Sequence, residues 1–155
     1  MRKRRDRGFT AVELIVVVIV VGIAAAVTVP ALLRGSRNQL HAKCESNLRA
    51  LWKAESDARA KGGALPAARG SAYWAAVLGP GADPGLLACP LSKGARYRGP
   101  AVDPAPLPPM ALIGGDAPGS HGEGEGGYVL FKNGEVRACR GSDPLWKLAG
   151  ERLAP

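Results

Sequence analysis

Residues 14–33 read LIVVVIVVGIAAAVTVPALL, a run of 20 residues without a charged side chain. As an α-helix, a run of this length crosses about 30 Å of hydrocarbon. The run therefore predicts a membrane-spanning helix near the start of the chain. Two conventional interpretations are open for such a run. One is a secretory signal peptide cut after Ala26, and the other is an ordinary signal anchor.

Glu13 stands at the edge of this apolar run. An ionised carboxylate in an apolar span costs up to about 3 kcal/mol at the bilayer centre, unless it is paired or stays at the interface. A signal peptide gains nothing from such a residue, and a plain anchor tolerates it only at the membrane edge. We therefore expect Glu13 to have a partner of opposite charge.

A short basic segment precedes the apolar run. Residues 1–8 hold five basic residues and one acidic residue, a net charge of +4. Residues 9–155 hold the remaining 16 basic and 12 acidic residues, which gives the other half of the total of +8. Basic residues beside a membrane segment commonly hold that flank in the cytoplasm. The charge distribution thus argues against nucleic-acid binding as the main function.

The junction between these segments, GFTAVEL at residues 8–14, resembles the cleavage and methylation signature of type IV prepilins and type II secretion pseudopilins. The resemblance implies that a membrane-embedded prepilin peptidase cuts between Gly8 and Phe9, removes residues 1–8, and methylates Phe9 at its new amino terminus. It also implies that Glu13 neutralises the terminal ammonium of a neighbouring subunit and so sets the register of assembly.

The helical pattern resumes after Pro30. Apolar positions recur at spacings of i, i+4, i+8, i+11 and i+12, as expected for one face of a helix; they are Leu40, Cys44, Leu48, Leu51 and Trp52. Gly62 and Gly63 then end the pattern. Pro30 is expected to bend or loosen the helix, with the end of a shorter helix as the alternative.

These patterns predict an α+β, pilin-like fold. One long helix covers residues 9–61, with a membrane span at about 14–33 and an amphipathic half at 34–61 packed on a head. The head, residues 62–155, is expected to be small and rich in loops, and to carry a β-hairpin or a small antiparallel sheet. Parts of it resemble the heads of pseudopilin-like proteins.

Three local signals organise the head. Residues 71–78 predict a short helix anchored by Tyr73, Trp74 and Leu78, whereas residues 79–84 and 100–109 are rich in turn formers. Asn133-Gly134 between β-forming flanks predicts a hairpin with a type I′ turn, in which both central residues have positive φ. Ser142, Asp143 and Pro144 predict the start of a short helix carrying Leu145, Trp146 and Leu148.

The cysteines Cys44, Cys89 and Cys139 are widely spaced and form no CxxC pair. This spacing argues against a zinc site or a thioredoxin-like dithiol. Outside the inner membrane, one disulfide with one free thiol is chemically permitted, and three pairings stay open. A reduced, buried cysteine on the long helix is an equal alternative.

The segment HGEGEGG offers His121, Glu123 and Glu125 as oxygen and nitrogen ligands. Calcium needs six to eight converging oxygens, and glycine spacers supply flexibility instead of convergence. We therefore expect a solvated loop with no metal and no cofactor, and we place His41 on the surface of the helix. The sequence carries no HExxH helix, P-loop or G-x-S-x-G elbow, so we expect no enzymatic activity.

The favoured function is a structural subunit of a type II secretion pseudopilus or a related filament. The resemblance implies as partners the prepilin peptidase, other pilin or pseudopilin subunits, an inner-membrane assembly platform and its ATPase. It places the chain in the inner membrane as a single-pass protein, with a cytoplasmic N-terminus and a periplasmic or extracellular head, and in a filament after processing.

Two alternatives remain. One is a type IV pilin that acts at the cell surface in adhesion, motility or DNA uptake. Its candidate nucleic-acid patch combines Lys93, Arg96 and Arg98 with Tyr97, although a solvated loop is the simpler interpretation. The other is a secreted protein of unrelated function, cut after Ala26.

Overall fold

The computed structural model describes residues 11–92, 94–122 and 124–155, without the side chains of residues 30–34. The chain forms two compact units, Met1–Gln39 and Leu40–Pro155. The predicted cleavage site at Gly8 and Phe9 lies outside the described residues. The structure is α+β, with a long apolar helix followed by shorter helices and small antiparallel sheets, which confirms the predicted fold class.

The first element, helix α1, spans Ala11–Ala60. It continues through Pro30, so the alternative of a shorter helix ending there is wrong. Gly62 has a φ of 69°, and the N–H of Gly63 donates to the carbonyl of Ala58 at 3.2 Å. Together with the Gly62 N–H bond to Arg59, this is a Schellman motif, which confirms the predicted glycine stop.

In the first unit, residues Ala11–Val29 form a helix that is long and apolar enough to cross a membrane. It is the one such helix among the residues that the structure describes. Its side chains are exposed throughout, with Val12 at 69% and Val20 at 59% of their full accessibility. A surface of this kind is stable only in lipid or against other apolar helices.

In the second unit, the amphipathic part of α1 packs on the head. Cys44, Leu48 and Leu51 are completely buried, as the sequence pattern predicts. Helix α2, Ser71–Leu78, adds Tyr73 and Trp74 to the same core. The predicted helix at residues 71–78 is thus confirmed.

The five strands form two small antiparallel sheets. The strands are β1 Gly99–Pro100, β2 Leu112–Gly115, β3 Gly127–Phe131, β4 Val136–Cys139 and β5 Leu153–Ala154. The other elements are helix α3, Pro144–Arg152, and a 3₁₀ turn at Pro84–Leu86. Strands β2, β3 and β4 pair in that order, and β1 pairs with β5. These pairings confirm the small sheet expected in the head.

Strand β3 is covered on both faces. Leu130 joins the core that contains Leu48 and Leu51 of α1, whereas Val129 and Phe131 join a second core with Ala149 of α3. Alternate residues of a strand point to opposite faces, so the sheet separates the two cores.

The hairpin between β3 and β4 is present, but its predicted type I′ turn is wrong. The Phe131 N–H donates to the Glu135 carbonyl at 2.9 Å, leaving a three-residue loop. Gly134 has a φ of 88°, whereas Asn133 does not have positive φ. This is the geometry of a type I turn followed by a glycine bulge. Trp52 donates to the Lys132 carbonyl at 2.9 Å, so a tertiary contact holds this loop.

Helix α3 begins as predicted. Asp143 is its N-cap, its side chain accepts a hydrogen bond from the Leu145 N–H at 2.8 Å, and Pro144 occupies the first turn. Leu145 and Trp146 pack against the second core. Leu148 is 41% exposed, and Ala149 is the fully buried residue of this helix.

Candidate functional site

Glu13 lies near the start of the described part of α1 and is exposed. Its neighbours Val12 and Leu14 are also exposed, at 69% and 61%. The carboxylate therefore lies on an apolar helix surface, as the sequence indicated. Its pairing with a subunit amino terminus stays a prediction, because Phe9 lies outside the described residues.

A disulfide joins Cys44 of α1 to Cys89, with the two Cα atoms 5.3 Å apart. The sequence left three pairings open, and the fold selects this one. The bridge closes a loop of 45 residues. By chain entropy alone, a loop of that length stabilises the folded state by about 4 kcal/mol. Cys139 on β4 is buried with a free thiol, and burial raises the pKa of that thiol.

Beside the disulfide lies a buried acid and imidazole pair. The Nε2 atom of His121 is 2.9 Å from the Asp116 carboxylate and 3.3 Å from the sulfur of Cys89. Ligand atoms of Cys44, Cys89, Asp116 and His121 all lie within 4.8 Å of one another, and all four residues are buried. We refer to these four residues as the head cluster.

The fold fixes Asp116 through several hydrogen bonds. Its Oδ2 accepts from the Tyr128 N–H at 2.7 Å, and its own N–H donates to the Tyr128 carbonyl at 2.9 Å. The Nε of Arg98 donates to the Asp116 carbonyl at 3.0 Å. The other carboxylate oxygen, Oδ1, is buried without a hydrogen-bond partner among the described residues. Such an atom calls for an explanation, since buried polar atoms are nearly always paired.

The solvated loop predicted around His121 is wrong for this residue, which is only 7% exposed. His41, predicted on the helix surface, is half-buried, and its ring lies edge-on to His121 with the centroids 4.9 Å apart. The ring centroid of Tyr128 lies 5.6 Å from that of His121. Burial raises the pKa of the Tyr128 hydroxyl. Glu125 is exposed, and Glu123 lies outside the described residues.

The candidate nucleic-acid patch does not form. Tyr97 is 1% exposed and Arg98 is 5% exposed, so neither can stack on a base or reach a phosphate. Burial lowers the pKa of Arg98, while the charge of Asp116 opposes that shift. The guanidinium lies 5.5 Å from the Trp146 ring centre. Of the other two residues, Arg96 is exposed and Lys93 lies outside the described residues.

Sequence reasoning missed a second buried carboxylate. Glu55 is 2% exposed, forms an ion pair with Arg59, and accepts a hydrogen bond from the Tyr73 hydroxyl at 3.3 Å. Burial, followed by the charge of Glu55, raises the pKa of Tyr73. The i, i+4 spacing of Glu55 and Arg59 in the sequence is the signal that could have predicted this ion pair. The hydrogen bond between Tyr73 and Glu55 joins α2 to α1 and stabilises their packing.

The chain is similar to the type IV major pilin protein PilA of Myxococcus xanthus (strain DK1622), with 37% identity over 51 residues. This match covers 33% of the present chain and 23% of the pilin, so it spans about a quarter of the relative. No family model and no solved structure matches the chain. The partial likeness and the N-terminal apolar helix support a pilin-like structural subunit.

Proposed function

We propose that this chain is a pilin-like filament subunit, cut between Gly8 and Phe9 by a prepilin peptidase and assembled through the N-terminal part of α1. The observation that carries the proposal is the exposed apolar helix Ala11–Val29 with a carboxylate, Glu13, in its first described turn. The partial similarity to a type IV major pilin supports it.

Assembly follows from the cost of leaving this helix in water. Burying apolar surface contributes roughly 25 cal/mol per Å², so helices of this kind are stable in the membrane and in the core of a bundle. An ionised Glu13 is energetically unfavourable in both environments unless an opposite charge compensates it. The amino terminus of a neighbouring mature subunit would supply an ammonium at the required depth, which gives the carboxylate a role in register.

The head is proposed to lie outside the inner membrane, with the basic residues 1–8 on the cytoplasmic side. The Cys44–Cys89 disulfide supports this placement, because disulfides persist in oxidising compartments. The action of the subunit would then be mechanical and not enzymatic. An assembly platform and its ATPase would supply the work of extension.

Two filament types fit this subunit. The first is the pseudopilus of a type II secretion or related system, as the signature at residues 8–14 implies. The second is a surface type IV pilus, which the partial similarity to a type IV major pilin also supports. Deleting the gene and measuring both protein secretion and sheared surface filaments separates them. Loss of secretion with normal surface filaments supports a pseudopilus, and the reverse supports a surface pilus.

The first experiment is an intact-mass and N-terminal analysis of the membrane-associated protein, in cells with and without a prepilin peptidase. A peptidase-dependent chain that starts at methylated Phe9 supports the proposed class. A soluble chain that starts near Val27 would contradict it and indicate a signal peptide. An uncut chain in both cells would indicate a simple membrane anchor.

A further inference from the structure

The head cluster brings together two sulfurs, an imidazole nitrogen and a carboxylate oxygen. We propose that Cys44 and Cys89, when reduced, bind one zinc ion together with Asp116 and His121, and that formation of the disulfide releases the ion. This metal site joins α1 to the head within the unit Leu40–Pro155, and it does not rest on the proposed function.

The donor set suits zinc. Zinc binds four ligands in a tetrahedron and accepts thiolate, imidazole and carboxylate. Thiolates disfavour calcium and magnesium, which prefer oxygen ligands. The spacing from cysteine to cysteine in the sequence argued against such a site, because structural zinc sites commonly take ligands from short CxxC pairs. Here α1 supplies Cys44, one head loop supplies Cys89, and the loop between β2 and β3 supplies Asp116 and His121.

The distances are close to those of a zinc site. In a tetrahedral complex, an imidazole nitrogen and a carboxylate oxygen lie about 3.3 Å apart, and a sulfur and a nitrogen about 3.5 Å apart. The corresponding distances here are 2.9 Å between Nε2 of His121 and Oδ2 of Asp116, and 3.3 Å between the sulfur of Cys89 and Nε2 of His121. Oδ1 belongs to the same carboxylate and is the oxygen that no described residue pairs. Reduction frees the two sulfurs to separate to about 3.8 Å by rotation of their side chains.

The unpartnered Oδ1 of Asp116 is an independent indication of a ligand. Asp116 is completely buried, and a cation would satisfy the atom that no described residue pairs. The peptide groups of Tyr128 and the Nε of Arg98 hold Asp116 in place. Groups of this kind orient metal ligands in known sites.

The buried Arg98 beside the head cluster balances its ionic charges in both states. Two thiolates and the Asp116 carboxylate carry three negative charges, which zinc and the Arg98 guanidinium neutralise. After oxidation and zinc release, the Asp116 carboxylate and the Arg98 guanidinium carry opposite charges. Counted over the thiolates, Asp116, Arg98 and zinc, neither state has a net charge, which would be costly in a buried site.

Solvent can reach the cluster through His121. This residue lines two surface cavities of about 520 Å³ and 280 Å³. Ser120 lies in the wall of the larger cavity, and His41 and Tyr128 lie in the wall of the smaller one. Each cavity is large enough for several water molecules, so a hydrated ion has a route of entry.

The oxidation is a two-electron exchange with an external disulfide, such as oxidised glutathione or an oxidoreductase. The two zinc-bound thiolates transfer two electrons and form the Cys44–Cys89 bond. The S–S bond of the oxidant breaks, and its two sulfurs take up two protons and leave as thiols. Zinc is released because a disulfide is a poor ligand compared with thiolates.

The test uses the full chain in detergent, without a polyhistidine tag. Zinc uptake is measured in competition with a chromogenic chelator, and free thiols are counted in parallel. We expect one zinc per reduced chain and none after oxidation, as the thiol count falls from three to one. A reduced chain that is folded by circular dichroism and takes up no zinc would overturn the proposal. Folding that depends on added zinc would support it.

Variants assign the ligands. His121→Gln leaves all cysteines in place, so its oxidised form can still be isolated as a folded control. We expect its zinc affinity after reduction to fall by more than the roughly 10- to 100-fold typical of a lost outer-shell partner. Cys139→Ser removes a buried thiol outside the cluster and is the matched control, with unchanged affinity expected. Equal zinc binding by His121→Gln and Cys139→Ser would refute the assignment.

Cobalt gives a second readout. Cobalt in place of zinc should show a sulfur-to-metal charge-transfer band, which Cys89→Ser should weaken and Cys139→Ser should keep. A cobalt spectrum without that band in the unmodified reduced chain would show that the thiolates are not ligands, and so would overturn the proposal.

Discussion

The two parts of α1 have the same secondary structure and opposite relations to their surroundings. Apart from Glu13, residues Ala11–Val29 present apolar side chains on most of the helix surface, and the range is exposed throughout. Between Leu40 and Ala60 only one stripe is apolar, and Cys44, Leu48 and Leu51 within it are completely buried by the head. The apolar side chains of the second part are thus buried within one chain, whereas those of the first part can be buried only in lipid or against other subunits.

The largest effect is expected from Glu13→Leu, which tests the first part of the helix. Under the proposed function, this change leaves a subunit ammonium unpaired in an apolar environment, a loss of about 3 to 5 kcal/mol. Filament yield should fall by more than about 100-fold, while cleavage and the folding of the head continue. Sheared filaments and cross-linked subunits measure the yield.

Glu45→Gln is the matched control for that experiment, since it removes a partly exposed carboxylate from the other part of the same helix. We expect normal filament yield from this variant. Equal yields from both variants would contradict the proposed role of Glu13 in assembly.

The next largest effect concerns the buried stripe. Leu51→Ala removes a completely buried side chain and should lower the free energy of unfolding of the head by about 2 to 5 kcal/mol. Thermal unfolding in detergent, followed by near-UV circular dichroism, measures the change. Val20→Ala, at a side chain 59% exposed, should leave this transition unchanged. A similar loss of head stability in both variants would contradict the proposed difference between the two parts of α1.

A smaller effect is expected at the end of the helix. Gly62 has positive φ, and a Cβ there would meet no atom within 4 Å, so Gly62→Ala tests backbone conformation alone. It should destabilise the head by about 1 to 2 kcal/mol. Gly35→Ala, also in open space but inside the helix, should favour helix formation by about 0.5 to 1 kcal/mol. Urea unfolding and helix content measure the two variants, and effects of the same sign would contradict this account.

The smallest effect belongs to the exposed ion pair of Glu45 and Arg49 on the second part of α1. Removing it with Arg49→Gln should cost about 0.3 to 0.5 kcal/mol at low salt, and less as salt screens the pair. A loss above 1 kcal/mol that persists at high salt would show that the pair contributes to the packing of the head.

Local signals predicted most of the elements. The end of α1 at Gly62, the helix at residues 71–78 and the cap at Asp143 each depend on a few neighbouring residues, and the structure confirms them. The type I′ turn was wrong because the hairpin has a three-residue loop, in which a type I turn precedes Gly134 in the left-handed conformation. Asn-Gly is compatible with both loop lengths, and Trp52, distant in sequence, hydrogen-bonds to the loop that the fold contains.

By itself, the sequence determined the long helix, its change from all-apolar to one-sided, the glycine that ends it, and a head of short helices and strands. Helical spacing, capping and turn chemistry act within a few residues, so they can be read along the chain. Only the tertiary structure decided the Cys44–Cys89 pairing, the burial of Arg98, and the contact between His121 and Asp116. The disulfide depends on how α1 packs against a loop 45 residues away. Arg98 is buried through contacts with Asp116 and Trp146, and His121 meets Asp116 through the folding of the loop that they share, so no local pattern specifies these contacts.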